Sequence, residues 1–480
     1  MVRIYFDKQV FSDLFKQEKE EYIKLLDNIK SQKSSLFCYS HAHLLDLKND
    51  KTDIKYEELK FIETIVVDNY LSYHALDKYT TCYLVKPIEA FKDIEEEPGL
   101  GDVDTLFDLF LDDLPQESIK AIEQVEDLLK NLEFDFHPSM TELPEGANKE
   151  TIEAYKTIEK LFPKDADSYS LMDFMKHFAG MLSKMHKDKS IYRNFRNASY
   201  KSFNDGKFVV DYDEIDFNED LKNSQLQKTF IEFVNNSINP NEDKEVSKYD
   251  FYVNAYLNLD LLGISKEKSV VINNMLNDSL HSYYGAYCDC VVSRDSGFIK
   301  KTRVLYKLLK IDAKVIHIDD FIKTFNFVVQ KEEKSVDAFS DLLINDIENA
   351  LIIDSYKSLD KSRETTTLKP VHNYLGFFNR IDKIRENGKD FLYFYRRTDN
   401  YSNFTFIREY ELVVNNAVNI FGTDQFFRKE FDWEKDKKSM TLGKWEGREW
   451  DFNNFTLRIE TNPGTNELSM LMSFRKTFNR

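Results

Sequence analysis

Short apolar runs that end on an acid or a hydroxyl, each followed by a stretch of helical spacing, open this chain. Arg3 to Phe6 is β-rich and closes on Asp7, and from about Val10 the apolar positions Val10, Leu14, Tyr22, Leu25, Leu26 and Ile29 recur at helical intervals. Leu36-Phe37-Cys38-Tyr39 repeats the pattern, with Ser40 or His41 as the start of a helix that carries Asp46. Tyr56 to Leu71 has the spacing of a helix, and Tyr79 to Val85 that of a strand stopping at Pro87. Repetition of strand, polar site and helix predicts an open, mostly parallel α/β sheet.

From about Pro87 to Ile264 the pattern changes to successive amphipathic helices, among them Val103 to Leu114, Glu117 to Leu132, Thr151 to Phe162 and Leu171 to Met185. Asn239-Pro240-Asn241 marks a turn, and Asp250 to Leu262 reads as a helix closed by Gly263. The α/β rhythm then returns. Val270 to Tyr284 is helical, Cys290-Val291-Val292 is a buried strand, Ser293 to Gly297 a polar turn, Lys300 to Leu309 a basic helix and Lys314 to His317 a last parallel strand. Phe327 to Tyr356 is expected to be helical. Beyond Asn373 the chain turns aromatic, and Phe455 to Ile459 with Leu468 to Met472 predicts a hairpin around Asn462-Pro463-Gly464. The expected organisation is an α/β core in two parts, residues 1–86 and 265–325, interrupted by a helical insertion over 87–264. A smaller α+β domain with a connecting helix follows over 326–480.

Length and composition support this division. At 480 residues the chain exceeds what one simple core serves, and 39 Phe and 26 Tyr supply ample material for packing. Only 14 Gly and 9 Pro exclude collagen-like and Gly-rich repeat architectures. The opening residues lack an apolar run of signal-peptide length, and no stretch reaches the roughly 20 apolar residues of a bilayer span, so a cytoplasmic protein with no membrane partner is expected. Cys38, Cys82, Cys288 and Cys290 form no C-x-x-C pair and read as buried thiols. The net charge of −18 argues against a non-specific nucleic-acid coat, whose binding needs Lys and Arg at the phosphates. The charge is uneven, however: acids crowd between Asp93 and Asp113, whereas Arg294 to Lys314 is basic.

The chemistry lies in the acids. In a parallel sheet the carboxyl ends of the strands face one crevice, so Asp7 and Asp295 can converge despite their separation, with Asp46 and Asp278 delivered from helices. Clustered carboxylates cannot all stay ionised without a compensating cation. Mg²⁺ or Mn²⁺ suits an all-oxygen donor set, activates water and stabilises a leaving oxygen. The enzyme reading requires the Asp7, Asp278 and Asp295 carboxylates to lie within a few ångströms of a common point, and fails if they do not.

Taken together, Ile4-Tyr5-Phe6-Asp7, Ser40-His41-Ala42-His43-Leu44-Leu45-Asp46-Leu47, Asp278-Ser279-Leu280-His281 and Asp289-Cys290-Val291-Val292-Ser293-Arg294-Asp295 resemble the PIN-like nucleases. The resemblance covers about the first 85 residues and about 255 to 325. It implies a PIN-like, Rossmann-like core and metal-dependent cleavage of single-stranded nucleic acid, RNA in preference to DNA. It maps four acidic positions to Asp7, Asp46, Asp278 and Asp295, with Ser293 at the small hydroxyl position two before the last acid. It further implies a toxin or phage-defence effector, gated by the insertion, a protein partner or self-association. Ser293, Arg294, Lys300, Lys301 and Arg303 are candidates for substrate contact, and His41, His43, His281 and Asp289 for auxiliary roles.

Each residue also has a plainer reading. Asp7 and Asp295 are good helix caps or turn residues, Asp278 an ordinary helix acid, and the basic helix a solvated face. Tyr393, Phe394, Tyr395 and Tyr401 beside Arg396 and Arg397 are either base-stacking platforms or core aromatics. His41-Ala42-His43 reads first as a helix-capping histidine pair; it also fits the metal site of amidohydrolase-like barrels, which would demand eight strand-helix units. The competing class is a non-catalytic scaffold that uses the same fold for protein contacts.

Overall fold

A computed structural model describes residues 2–31, 35–75, 77–95, 217–223, 227–239, 245–261, 272–325, 335–359, 362–441, 444–462 and 467–475, with a few positions between 133 and 196. The first sheet has strands β1 (Val2–Phe6), β2 (Ser35–Ser40), β3 (Asn69–His74), β4 (Tyr79–Leu84), β5 (Cys290–Ser293) and β6 (Lys314–His317). Their order is β4-β3-β2-β1-β5-β6, parallel throughout except for the antiparallel β3–β4 edge. Ile4 lies opposite Phe37 on one side and Cys290 on the other, which joins the two distant parts of the chain in one sheet.

Alternation along β1 sorts the packing. Ile4 and Phe6 face a core shared with α1 (Lys8–Lys16), α2 (Glu20–Ser31), α3 (His41–Asn49), α4 (Ile54–Val66) and α5 (Pro87–Glu95). Tyr5 faces the opposite core, built from α6 (Phe230–Ile238), α7 (Lys248–Leu261), α8 (Ile272–Gly285) and α9 (Ser296–Leu308). Thus α5, α6 and α7, all within 87–264, cover the sheet. The helices expected at Val103 to Leu114, Glu117 to Leu132, Thr151 to Phe162 and Leu171 to Met185 lie outside the described residues. Short α10 (Ile318–Thr324) follows β6 and packs Phe321 against Phe6.

Two expectations of helix are corrected. The helical run to Leu71 stops at Val66, because Val67 takes a positive φ of 59°. The Asn69 side-chain Nδ2 then donates to the Phe37 carbonyl at 3.1 Å, and pairing with β2 and β4 makes 69–74 strand β3. The stretch Phe327 to Tyr356 contains α11 (Val336–Asn349) and then turns into strand β7 (Leu351–Lys357), whose β-branched and aromatic residues favour extension.

With β8 (Arg363–Lys369), β9 (Arg380–Glu386), β10 (Lys389–Tyr395), β11 (Arg448–Asp451), β12 (Phe455–Thr461) and β13 (Leu468–Phe474), β7 forms a seven-stranded antiparallel sheet. Its order is β11-β12-β13-β10-β9-β8-β7. The expected hairpin is β12–β13, and a second, β9–β10, turns on Asn387-Gly388, both at positive φ. Helices α11, α12 (Ile407–Phe421) and α13 (Lys435–Thr441) accompany this sheet, and Phe339, Phe394 and Val413 share its core. All four cysteines are buried thiols. Among the described residues no helix is long and apolar enough to cross a membrane.

Gly285 closes α8 directly against β5. A β-carbon there would stand 2.5 Å from the Val291 Cγ2 methyl, which belongs to a fully buried strand residue that cannot yield. Gly285→Ala is therefore expected to destabilise the protein by about 1–3 kcal/mol. Urea denaturation checks this, and an unchanged midpoint would show that α8 sits less tightly on the sheet.

Candidate active site

The strand order reverses between β1 and β5, since the chain leaves β1 toward β2 and leaves β5 toward β6 on the other side. That reversal opens a crevice at the carboxyl ends of the two strands. Asp7 follows β1 directly and caps α1, its Oδ1 accepting from the Val10 amide at 2.9 Å. Asp295 follows β5 and caps α9, its Oδ1 accepting from the Gly297 and Phe298 amides at 2.6 and 2.9 Å. The Asp7 amide donates to the Val292 carbonyl at 3.0 Å, which ties the two strand exits together. Both acids thus sit at positive helix ends, and each has one oxygen fixed by backbone amides.

The remaining acids come from helices. Asn274, Asp278 and His281, spaced i, i+4 and i+7, line the same crevice from α8, and Asp46 enters from α3. Asn277 holds the two helices together by donating to the Ala42 carbonyl at 3.1 Å. The result is a pocket of about 270 Å³ that Asp7, Asp46, Asp278 and Asp295 line jointly. Lys8 also borders it, but its ammonium is engaged by the buried Glu58 at 3.2 Å, so it leaves most of the negative charge unbalanced. Burial pushes the Asp7 carboxyl above its usual range, and Asp295 adds to that rise. The Ser293 hydroxyl, the Val10 amide and His281 oppose it.

The donor chemistry, hard carboxylate oxygens and no thiolate, fits Mg²⁺ or Mn²⁺. Among the described residues no group of three or more His, Cys, Asp or Glu side chains stands close enough together to hold an ion as an all-protein cage. Asp7, Asp278 and Asp295 thus line one pocket without meeting at a single ion-sized point, and the condition of a common point within a few ångströms is not met. Mg²⁺, which commonly takes one or two carboxylates and keeps several waters, is the ion such a pocket suits. Comparison with known proteins adds nothing to this geometry. No protein-family model, curated protein or solved structure matches the chain.

Behind the acids lies a buried hydrogen-bonded chain that sequence reasoning missed. The His281 Nε2 donates to the Asp46 Oδ2 at 3.0 Å, which leaves its Nδ1 to accept a hydrogen bond from the Tyr5 hydroxyl at 2.8 Å. Tyr5 in turn lies 2.7 Å from the Ser40 Oγ, the residue that caps α3. Nothing along β1 marks Tyr5 as different from a core aromatic. The spacing of Asn274, Asp278 and His281 was a usable signal for a polar helix face.

The other candidates fall in several places. His43 is fully buried. Its Nδ1 accepts from the Ser40 amide at 3.0 Å in a capping box and its Nε2 donates to the Phe6 carbonyl at 2.7 Å, so both nitrogens are used inside the fold. Burial and the neighbouring His281 push its pKa down and keep it neutral. His41 lines a different cleft, of about 610 Å³, with Tyr70, Tyr73 and Tyr249. The pair therefore builds no common metal site, and the open sheet is not an eight-stranded barrel.

Asp289 lies at the entry of β5, away from the pocket, where it accepts from the Arg3 amide at 2.7 Å and from Arg396 at 2.6 Å. Ser293 is buried beneath the pocket, accepting from the Asp295 amide at 3.0 Å. Arg294 is exposed and fastened to Asp13 at 2.8 Å, and Lys300 is exposed on α9. Lys301 corrects the expectation of a substrate contact. Its side chain is fully buried and ion-paired with Asp260 of α7 at 3.2 Å, because this face of α9 packs inward. Arg303 spends its guanidinium on the Val315 carbonyl of β6. The aromatic candidates divide: Phe394 is buried and Tyr401 packs among Tyr252, Tyr283 and Tyr287, whereas Tyr393 and Tyr395 lie half-buried side by side on the opposite face of β10.

Proposed function

We propose that this chain is a metal-dependent nuclease on a PIN-like α/β core, hydrolysing phosphodiester bonds of single-stranded RNA. The observation that carries the reading is the convergence of Asp7, Asp46, Asp278 and Asp295, from two strand exits and two helices, on one pocket at the switch point of the sheet. A bound Mg²⁺ or Mn²⁺ would supply the Lewis acidity that activates water and stabilises the leaving oxygen. The chain's own residues do the rest. Capping bonds hold Asp7 and Asp295 in fixed rotamers, and the N-termini of α1 and α9 offer partial positive charge to a phosphate. Ser293 orients Asp7 from below.

The competing reading is a non-catalytic scaffold. It is favoured by the same caps, because Asp7 and Asp295 satisfy backbone amides that a purely structural role would also explain. Incubation of the full chain with end-labelled single-stranded RNA and DNA, in Mn²⁺, Mg²⁺ or EDTA, separates the two. Cleavage of RNA that EDTA abolishes is the expected result. Absence of cleavage in either metal would favour the scaffold, and metal-independent cleavage would place the chemistry elsewhere.

A further inference from the structure

We infer that His281 is a positioning residue that sets the Asp46 carboxylate for the cation, and that Tyr5 holds His281 to this task. The inference rests on the reading of the pocket as a divalent-cation site.

Asp46 is not held by a helix-capping bond as Asp7 and Asp295 are. It lies mid-helix on α3, about a third exposed, and caps nothing, whereas Asp7 and Asp295 are fixed by amides. Its order comes instead from His281 Nε2 on its Oδ2, which leaves Oδ1 for a cation. The imidazole is itself immobile. It is buried, its ring packs edge-on against His43 at 4.6 Å between centroids, and its second nitrogen is occupied by Tyr5. With Tyr5 donating to Nδ1, only the Nε2–H tautomer fits, and that tautomer presents a donor to the carboxylate. Ser40 closes the arrangement, since it contacts the Tyr5 hydroxyl and caps the helix that carries Asp46. A histidine with one nitrogen on a buried hydroxyl and the other on a ligand oxygen is an outer-sphere orienting device, in which the partner fixes the ligand's direction and loss of the partner weakens the metal.

The test is Mn²⁺ titration of the full chain, followed by calorimetry and by the electron paramagnetic resonance signal of free Mn²⁺, for wild type, His281→Ala, His281→Gln and Tyr5→Phe. His281→Ala is expected to weaken Mn²⁺ binding by about 10- to 100-fold. His281→Gln, whose amide N–H can replace Nε2–H on Asp46, should recover most of that loss. Tyr5→Phe, which approaches no cation, should weaken binding by about tenfold through the freed tautomer. Wild-type affinity in a folded His281→Ala protein would overturn the inference while leaving the nuclease reading in place, as would a Gln variant no better than Ala. If the Ala variant does not fold, Tyr5→Phe decides, and wild-type Mn²⁺ affinity in that folded variant would overturn the inference. Failure of wild type to bind Mn²⁺ would remove the metal reading of the pocket and this inference with it.

Discussion

Asp7→Asn is expected to lower metal-dependent cleavage of single-stranded RNA by about a thousandfold while the protein stays folded, and Asp295→Asn to do the same. Both residues do two jobs, and the substitution separates them. As helix caps they need only an oxygen that accepts from backbone amides, Val10 in one case and Gly297 and Phe298 in the other. Asn provides that oxygen and caps helices as well as Asp does, so the cost to stability should stay within about 0.5 kcal/mol. For Asp7 the exchange also removes a buried carboxyl whose ionisation burial opposes, which further protects the fold. As cation ligands they need negative charge, which Asn lacks. Electrostatic stabilisation worth several kcal/mol corresponds to about three powers of ten in rate. The measurement is initial cleavage rate beside a denaturation curve. Retained cleavage in both folded variants would leave these acids as caps alone, and loss of folding would show that the fold needs their charge and not only a capping oxygen.

Glu409→Ala should destabilise the protein by about 3–5 kcal/mol, the range for breaking a buried ion pair from one side. Glu409 is fully buried on α12 and serves four donors: the Arg3 Nε at 2.7 Å and Nη2 at 2.6 Å, the Arg396 Nη1 at 3.0 Å and the Phe406 amide at 2.8 Å. Burial opposes the charge on Arg3, yet Glu409 and Asp289 hold its guanidinium more firmly protonated than usual. Removing the carboxylate leaves that cation buried against Ser402, the Phe404 carbonyl and the Phe406 ring. Because Arg3 belongs to β1 and Glu409 to α12, which packs on the second sheet, the damage should appear in both sheets together. The double variant Arg3→Met/Glu409→Leu should be more stable than Glu409→Ala, since no charge is then stranded in that pair. Guanidinium denaturation of the three proteins checks this, and a loss below about 1 kcal/mol for Glu409→Ala would mean that water reaches the network.

Much of the α/β core was readable from the chain because its signals are local. The strand β1, its closing Asp7 and the helix after it occupy consecutive residues, and the same holds for β2 with Ser40 and α3 and for β5 with Asp295 and α9. Periodicity and caps act over one or two turns, which is the range that sequence patterns report. Where two local preferences compete, pattern failed. The apolar spacing of α4 continues into Leu71, and only the turn at Val67 and pairing with Tyr39-Ser40 make 69–74 a strand. Likewise Leu351-Ile352-Ile353 extends a helical run in sequence, but pairing with β8 draws it into the second sheet.

The candidate site divides along the same line. The chain by itself determined which acids stand at strand exits and that Asp278 and His281 share a helix face, since those facts follow from period and position. Tertiary structure alone decided that β1 lies beside β5, and so that Asp7 and Asp295 are neighbours across most of the chain's length. It also decided that Lys300 meets water while Lys301 meets Asp260, although the two adjoin on one helix. The same holds for Tyr5, a core ring by pattern that became the hydroxyl anchoring His281. The physical reason is common to all three. Secondary structure follows from interactions a few residues apart, whereas strand order, the buried face of a helix and the partner of a polar atom depend on which distant surfaces exclude water together.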